Sequence, residues 1–207
     1  RQRQMCIRDR YKDFAILYRT NAQSRLFEEK FLIANIPYKL VGGVNFYARK
    51  EIKDLLAYLK TVDNALDDLA VQRIINVPRR GIGAATISRV EEHAREQGIN
   101  FYDALLEADY IPGVGRSLAK IKAFTLFIQS LRSQEVYLGV KELLEKIIEE
   151  TGYVKELEAE DTEEARGRIE NIDELLSKVA DYEESAEQST LLSLIHISEP
   201  TRHSLIS

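Results

Sequence analysis

F-A-I-L-Y-R-T-N-A-Q-S-R, residues 14–25, is the stretch from which the fold is read. Phe14, Ala15, Ile16 and Leu17 form an unbroken apolar run that leads into Tyr18-Arg19. So short and continuous a run predicts a strand covered on both faces, as in a parallel sheet flanked by helices. Thr20 or Asn21 can then cap a helix continued by Leu26, Phe27, Phe31 and Leu32. Strand, polar turn and helix in that order place side chains at the carboxyl edge of a sheet, where open α/β sheets bind ligands. Tyr18 offers a flat face to a base, and Arg19 a fork of donors suited to phosphate. The competing reading is a structural ion pair at a strand end.

Outward from this stretch, composition narrows the class. The 207 residues are 44% hydrophobic and 30% charged, ordinary material for one or two globular domains. No window has the ~18 uncharged apolar residues that a membrane span requires. One cysteine excludes a disulfide framework and a thiolate zinc site, and three scattered histidines (His93, His196, His203) lack ligand spacing, so no metal site is expected. The expectation is a soluble protein of a reducing, bacterial cytoplasm.

Both ends read as foreign, adapter-like text: residues 1–10, which hold the single methionine and cysteine, and residues 191–207. The first ten residues contain four arginines and one aspartate, and the last seventeen one arginine and one glutamate. Without them, 24 basic residues face 32 acidic ones, a net charge of −8 against −5 for the full chain. So acidic a body cannot coat itself with nucleic acid by general attraction, and any phosphate contact must come from local, shaped sites.

After Ile36-Pro37, Tyr38–Val41 predicts a second strand ended by Gly42-Gly43. Ile52, Leu55, Leu56 and Leu59 predict a firm helix begun by the charged run Arg49–Asp54. Asp67 or Asp68 caps a short helix that Pro78 ends. From Arg79 strand signals vanish, and helices are expected at about 84–97, 101–108, 115–133, 140–151 and 162–182. The expected organisation is an α/β start over 11–76, a mostly helical domain over 77–190 and a tail at each end. Residues 156–187 are dense in acids but keep an apolar stripe (Ile169, Ile172, Leu175, Leu176, Val179), so the acids form a solvated outer face.

Two short features repeat in the helical part: Arg80-Gly81-Ile82-Gly83 and Pro112-Gly113-Val114-Gly115 each precede a helix. A Gly-apolar-Gly turn can point bare amides outward where a helix begins, an arrangement that fits one backbone phosphate and reads no sequence. Ile82 or Val114 would anchor the turn; Arg79 and Arg80 flank the first, and Arg116 and Lys120 follow the second. A plain tight turn is the alternative for either. The second is not a P-loop, because Lys120 lies five residues past the last glycine instead of next to it.

L-Y-R-T-N-A-Q-S-R at 17–25, I-P-Y-K-L-V-G-G-V-N-F-Y at 36–47, R-K-E-I-K-D-L-L-A-Y-L-K at 49–60 and R-I-I-N-V-P-R-R-G-I-G at 73–83 together closely resemble the UvrD/PcrA/Rep family of DNA helicases, its PcrA/UvrD branch in particular. The resemblance implies that 11–76 begin the second RecA-like motor domain and that 77–190 are the helical domain inserted in it. It implies an ATP- and Mg²⁺-dependent motor that moves 3′ to 5′ on single-stranded DNA and unwinds duplex in repair or replication. Tyr18 would lie against adenine, and Arg19 would reach the γ-phosphate as the catalytic residue. Gly81–Gly83 would touch duplex backbone ahead of the junction, and Gly113–Gly115 would form a second such contact. The phosphate-cradling lysine and the Mg²⁺-binding acids of the family are absent from these 207 residues. The expectation is an internal piece of a helicase, inactive by itself. Two further readings stay open: a DNA-junction-binding helical module without chemistry, and a regulatory domain that binds a repair or replication protein through its acidic helices.

Overall fold

Lys50–Asp63 (α1) is the helix on which the described architecture is built. Ile52, Leu55, Tyr58, Leu59 and Val62 are wholly buried, and Leu56 and Ala57 nearly so. A helix apolar over most of its circumference must be covered on all sides. The polar residues it takes inside are all partnered. Asp54 accepts from Arg73 Nε at 2.6 Å and from the Tyr153 hydroxyl at 2.8 Å. Thr61 donates to the Ala57 carbonyl at 2.8 Å, and Glu51 accepts from Asn171 Nδ2 at 2.6 Å. Paired in this way, buried polar groups avoid the desolvation cost of an unmet donor or acceptor.

The computed structural model describes residues 10–18, 27, 28, 30, 31, 34–40, 46–185 and 191, in two units, Arg1–Arg49 and Lys50–Ser207. In the second unit α1 is followed by α2 (Asp68–Ile74), α3 (Ala84–Gln97), α4 (Phe101–Leu106), α5 (Gly115–Glu135), α6 (Val140–Thr151), α7 (Tyr153–Glu160) and α8 (Glu163–Ser185). Helices α2, α5, α6 and α8 all pack on α1, while α3 and α4 pack on each other. Caps mark the starts. Asp67 Oδ1 accepts from the Ala70 amide at 3.1 Å, and Asn100 Oδ1 from the Asp103 amide at 2.8 Å. Glu183, from the acidic face of α8, accepts from the Val140 and Lys141 amides at the start of α6, where a carboxylate is favoured by the positive helix end.

The first unit overturns the α/β expectation. Among the described residues there is no strand. Extended backbone becomes a strand only when a neighbour pairs its N–H and C=O groups, and neither expected segment has such a ladder. Phe14 is extended (φ −110°, ψ 143°), but Phe14, Ile16 and Leu17 are 54%, 45% and 95% exposed. Residues 36–40 are likewise irregular. The unit instead shows a short 3-10 turn at Tyr11–Asp13, helical residues at Phe27, Glu28, Lys30 and Phe31, and a second 3-10 turn at Phe46–Ala48. Arg19, Thr20, Asn21, Leu26, Leu32 and the Val41–Gly43 break lie outside the described residues, as do the two terminal runs apart from Arg10 and Leu191.

Candidate nucleic-acid interface

The segment between α2 and α3 is held by its own side chains. Asn76 Oδ1 accepts from the Arg80 amide at 2.9 Å and from the Ile82 amide at 3.1 Å, so one carbonyl gathers two amides of the turn. Ile82 is 1% exposed and pins the turn to the core. Gly81 has φ +72°, a conformation that an L side chain adopts with strain. Gly83 then precedes α3 without a side-chain cap, and its carbonyl takes the Thr86 amide at 2.9 Å. Two of the amides expected to be bare, those of Arg80 and Ile82, are therefore already bonded.

The two arginines beside this turn have opposite fates. Arg80 turns inward. Its Nη1 donates to the Ile74 and Val77 carbonyls at 2.8 and 3.1 Å, and its Nη2 donates to the Tyr58 hydroxyl at 2.5 Å. Its guanidinium lies over the rings of Phe124 (5.3 Å) and Tyr58 (5.8 Å). This is a cation on the carbonyl end of α2, sandwiched by aromatic faces. The Tyr58 hydroxyl passes the chain on to the Val77 carbonyl at 2.5 Å. Burial pushes that phenol up to about 12, against the lowering pull of Arg80, so it is a neutral donor at any physiological pH. Arg79 is exposed and lines a cleft of about 340 Å³ with Lys50, Glu156, Glu160 and Arg168. Its mixed charges give that cleft no strong preference for an anion.

The second turn follows α4 and a 3-10 turn at Ala108–Tyr110. Val114 is 2% exposed, Gly113 has φ +80°, and α5 starts at Gly115 without a side-chain cap. The starts of α3 and α5 lie side by side, since Thr86 Oγ1 and Ser117 Oγ are 3.2 Å apart and buried. Lys120 Nζ donates to the Gly81 carbonyl at 3.1 Å, and Arg89 Nη1 donates to the Gly113 carbonyl. The structure thus brings Gly81, Ile82, Gly83, Gly113, Val114 and Gly115 onto one region of the unit. Gly83 and Gly115 face open space, because a Cβ built on either meets nothing within 4 Å. Tyr18 belongs to the other unit, half-buried in an irregular stretch.

Sequence reasoning passed over Asn76, Thr86, Ser117 and Arg89. Asn76 carries a faint signal, since an asparagine just before a Val-Pro pair is a common organiser of local backbone amides. The other three carry none beyond their similar offsets from the two glycine pairs. Among the described residues no group of His, Cys, Asp and Glu could hold a metal ion, and no helix is long and apolar enough to cross a membrane.

The sequence pattern of the family described as UvrD-like helicase C-terminal domain matches residues 3–205. The chain is 45% identical over 188 residues to the ATP-dependent DNA helicase PcrA of Staphylococcus aureus (strain Mu50), a match that takes in 90% of this chain and 26% of that protein. It is 43% identical over 188 residues to the protein of the same name from Staphylococcus epidermidis (strain ATCC 35984), with the same coverage. The chain thus spans about a quarter of the length of these relatives.

Proposed function

The chain belongs to the UvrD-like helicase family, by its C-terminal domain, and from that premise we propose that it is part of an ATP-dependent DNA helicase moving 3′ to 5′ on single-stranded DNA. Within it, the paired glycine turns of α3 and α5 hold the sugar-phosphate backbone of duplex ahead of the strand junction. The observation that carries this reading is the side-by-side placement of two uncapped helix starts. Each is preceded by a Gly-apolar-Gly turn and open to solvent at its last glycine. Uncapped first-turn amides and the positive helix end attract one phosphate each, without reading bases. Arg79 and Arg116 are exposed nearby and add positive charge, whereas Arg80 serves the interior.

The nucleotide role rests on the family alone. Tyr18 lies against the adenine, and Arg19 reaches the γ-phosphate, where a cation from a second domain stabilises transition-state charge when the cleft closes. Among the described residues no group of His, Cys, Asp and Glu could hold Mg²⁺. Bound together with ATP, the metal would neutralise phosphate charge. A bacterial cytoplasm is the proposed location, in keeping with the staphylococcal relatives.

The test uses the full-length protein and fluorescence anisotropy. A 3′-tailed duplex should bind more tightly than the tail as a free strand, and the excess should shrink as salt rises, because counterions released into a more concentrated solution gain less entropy. Replacing duplex phosphates near the junction with uncharged methylphosphonates should abolish the excess. Equal affinity for tail and tailed duplex would refute the duplex grip.

A further inference from the structure

We infer that Lys120 and Arg89 are positioning residues exchanged between the two glycine turns, each fixing the turn of the hairpin to which it does not belong. The inference rests on the duplex reading above for what the turns do, and on geometry for how they are held. Lys120 lies on the helix begun by Gly115, yet its ammonium donates to Gly81; Arg89 lies on the helix begun by Gly83, yet its guanidinium donates to Gly113. The offsets differ by one, seven residues from Gly113 to Lys120 and eight from Gly81 to Arg89, so each cation sits about two helical turns beyond its own glycine turn. The exchange has a rough two-fold character, and the buried Thr86–Ser117 hydroxyl contact lies between the same two helices.

Both accepting glycines are left-handed, and both lack the Cβ that would block the cation. A Cβ on Gly81 would stand 2.6 Å from Lys120 Nζ, and one on Gly113 would stand 2.9 Å from Arg89 Cζ. The peptide joining Gly81 to Ile82 is held at both ends: its carbonyl by Lys120 at 3.1 Å and its N–H by Asn76 at 3.1 Å. A peptide fixed at both ends cannot rotate, so the amides that flank it keep their direction. Crossed over, the two straps make the turns one rigid pair with a set spacing. Two phosphate grips at a fixed separation need not be ordered on binding, which improves affinity with no new interaction.

The experiment is amide hydrogen exchange on the full-length protein without DNA, joined to anisotropy with a 3′-tailed duplex. Lys120→Met keeps the aliphatic stem and removes the donor. It should speed exchange in the peptide covering Arg80–Gly83 and leave Val114–Ser117 unchanged; Arg89→Met should do the reverse. Each should weaken tailed-duplex binding by about threefold to tenfold, as expected when a charged hydrogen bond at an exposed site is removed. Lys120→Arg should restore both readouts. In the double variant the loss should depart from the product of the single losses, because the straps act on one unit. Single losses that multiply, each with a reduced salt slope, would mark two independent phosphate ligands and overturn the inference. So would exchange changes confined to the variant's own hairpin, changes in neither, or binding that does not move. If the unsubstituted protein ignores the duplex arm, the duplex reading fails, while the exchange results still decide the straps.

Discussion

Gly83→Val isolates the proposed grip from the fold that carries it. Gly83 has φ −79° and ψ 159°, an extended conformation that valine adopts freely. A Cβ there meets nothing within 4 Å, so the branched side chain points into solvent and disturbs no neighbour. The structural cost is that of placing valine at a helix start where glycine is tolerated, about 1 kcal/mol at most. The binding cost is larger. The side chain fills the space through which a phosphate would reach the first-turn amides of α3, removing an anion–helix interaction of roughly 1–2 kcal/mol. That is about a fivefold to thirtyfold rise in Kd for a tailed duplex. Because the amides carry no formal charge, the slope of log K against log salt should change by much less than the ~0.9 expected when one cationic contact is lost. Anisotropy on the full-length protein reads both quantities, and single-strand-stimulated ATP hydrolysis, which does not use this turn, should stay within about twofold. Gly115→Val should behave in the same way at the second turn. Unchanged duplex affinity, or an ATPase loss as large as the binding loss, would refute the assignment.

Arg80→Lys keeps the charge but cannot bridge the Ile74 and Val77 carbonyls and the Tyr58 hydroxyl together, so it should destabilise the chain by about 2–3 kcal/mol in a urea melt. A melt unchanged within error would mean that the arginine is not structural. Glu135 sits half-buried near Asp63, and burial first, then that neighbouring carboxylate, raises its carboxyl above the ordinary 4.5. A raised carboxyl pKa stabilises the fold fully below the unfolded value and loses that contribution as pH climbs through the folded one. Glu135→Gln should therefore raise Tm at pH 7 and lose its advantage below pH 4.5; a lower Tm at pH 7 would contradict this. Arg19→Ala in the full-length protein should cut kcat for ATP by about a thousandfold with little change in KM, and undiminished turnover would remove Arg19 from the catalytic centre.

The helical unit was legible where the text carries its own period. Ile52, Leu55, Leu56 and Leu59 predicted α1, and all four are buried. The helices over 84–97 and 140–151 begin and end where glycines and periodicity placed them. Helix α7 is not legible in the sequence because its eight residues hold a single short apolar cluster, Tyr153 and Val154 with Leu157, too little to stand out from the acids around it. The apolar run at 14–17 failed for another reason. A doubly covered strand is defined by its neighbours, and four apolar residues in a row do not say whether any are present. Leu17, at 95% exposed, shows the size of that gap.

The site residues divide along the same line. Spacing identified the two glycine turns, because glycine's tolerance of positive φ is a property of the residue itself, and Gly81 and Gly113 both use it. What a neighbouring cation does is not such a property. Arg79 and Arg80 are adjacent and chemically identical, yet one faces solvent and the other closes the end of α2 beneath two aromatic rings. The difference lies in Phe124, more than forty residues away, and Tyr58, more than twenty, whose faces make the inner position suitable for a guanidinium. Lys120 was associated with the turn that precedes it, whereas its ammonium lies at the other one, 39 residues earlier. A basic residue next to a glycine turn in sequence is therefore weak guidance to which turn it serves. The reach of the side chain across the helix pair decides, and the exchange experiment on Lys120 and Arg89 measures that reach directly.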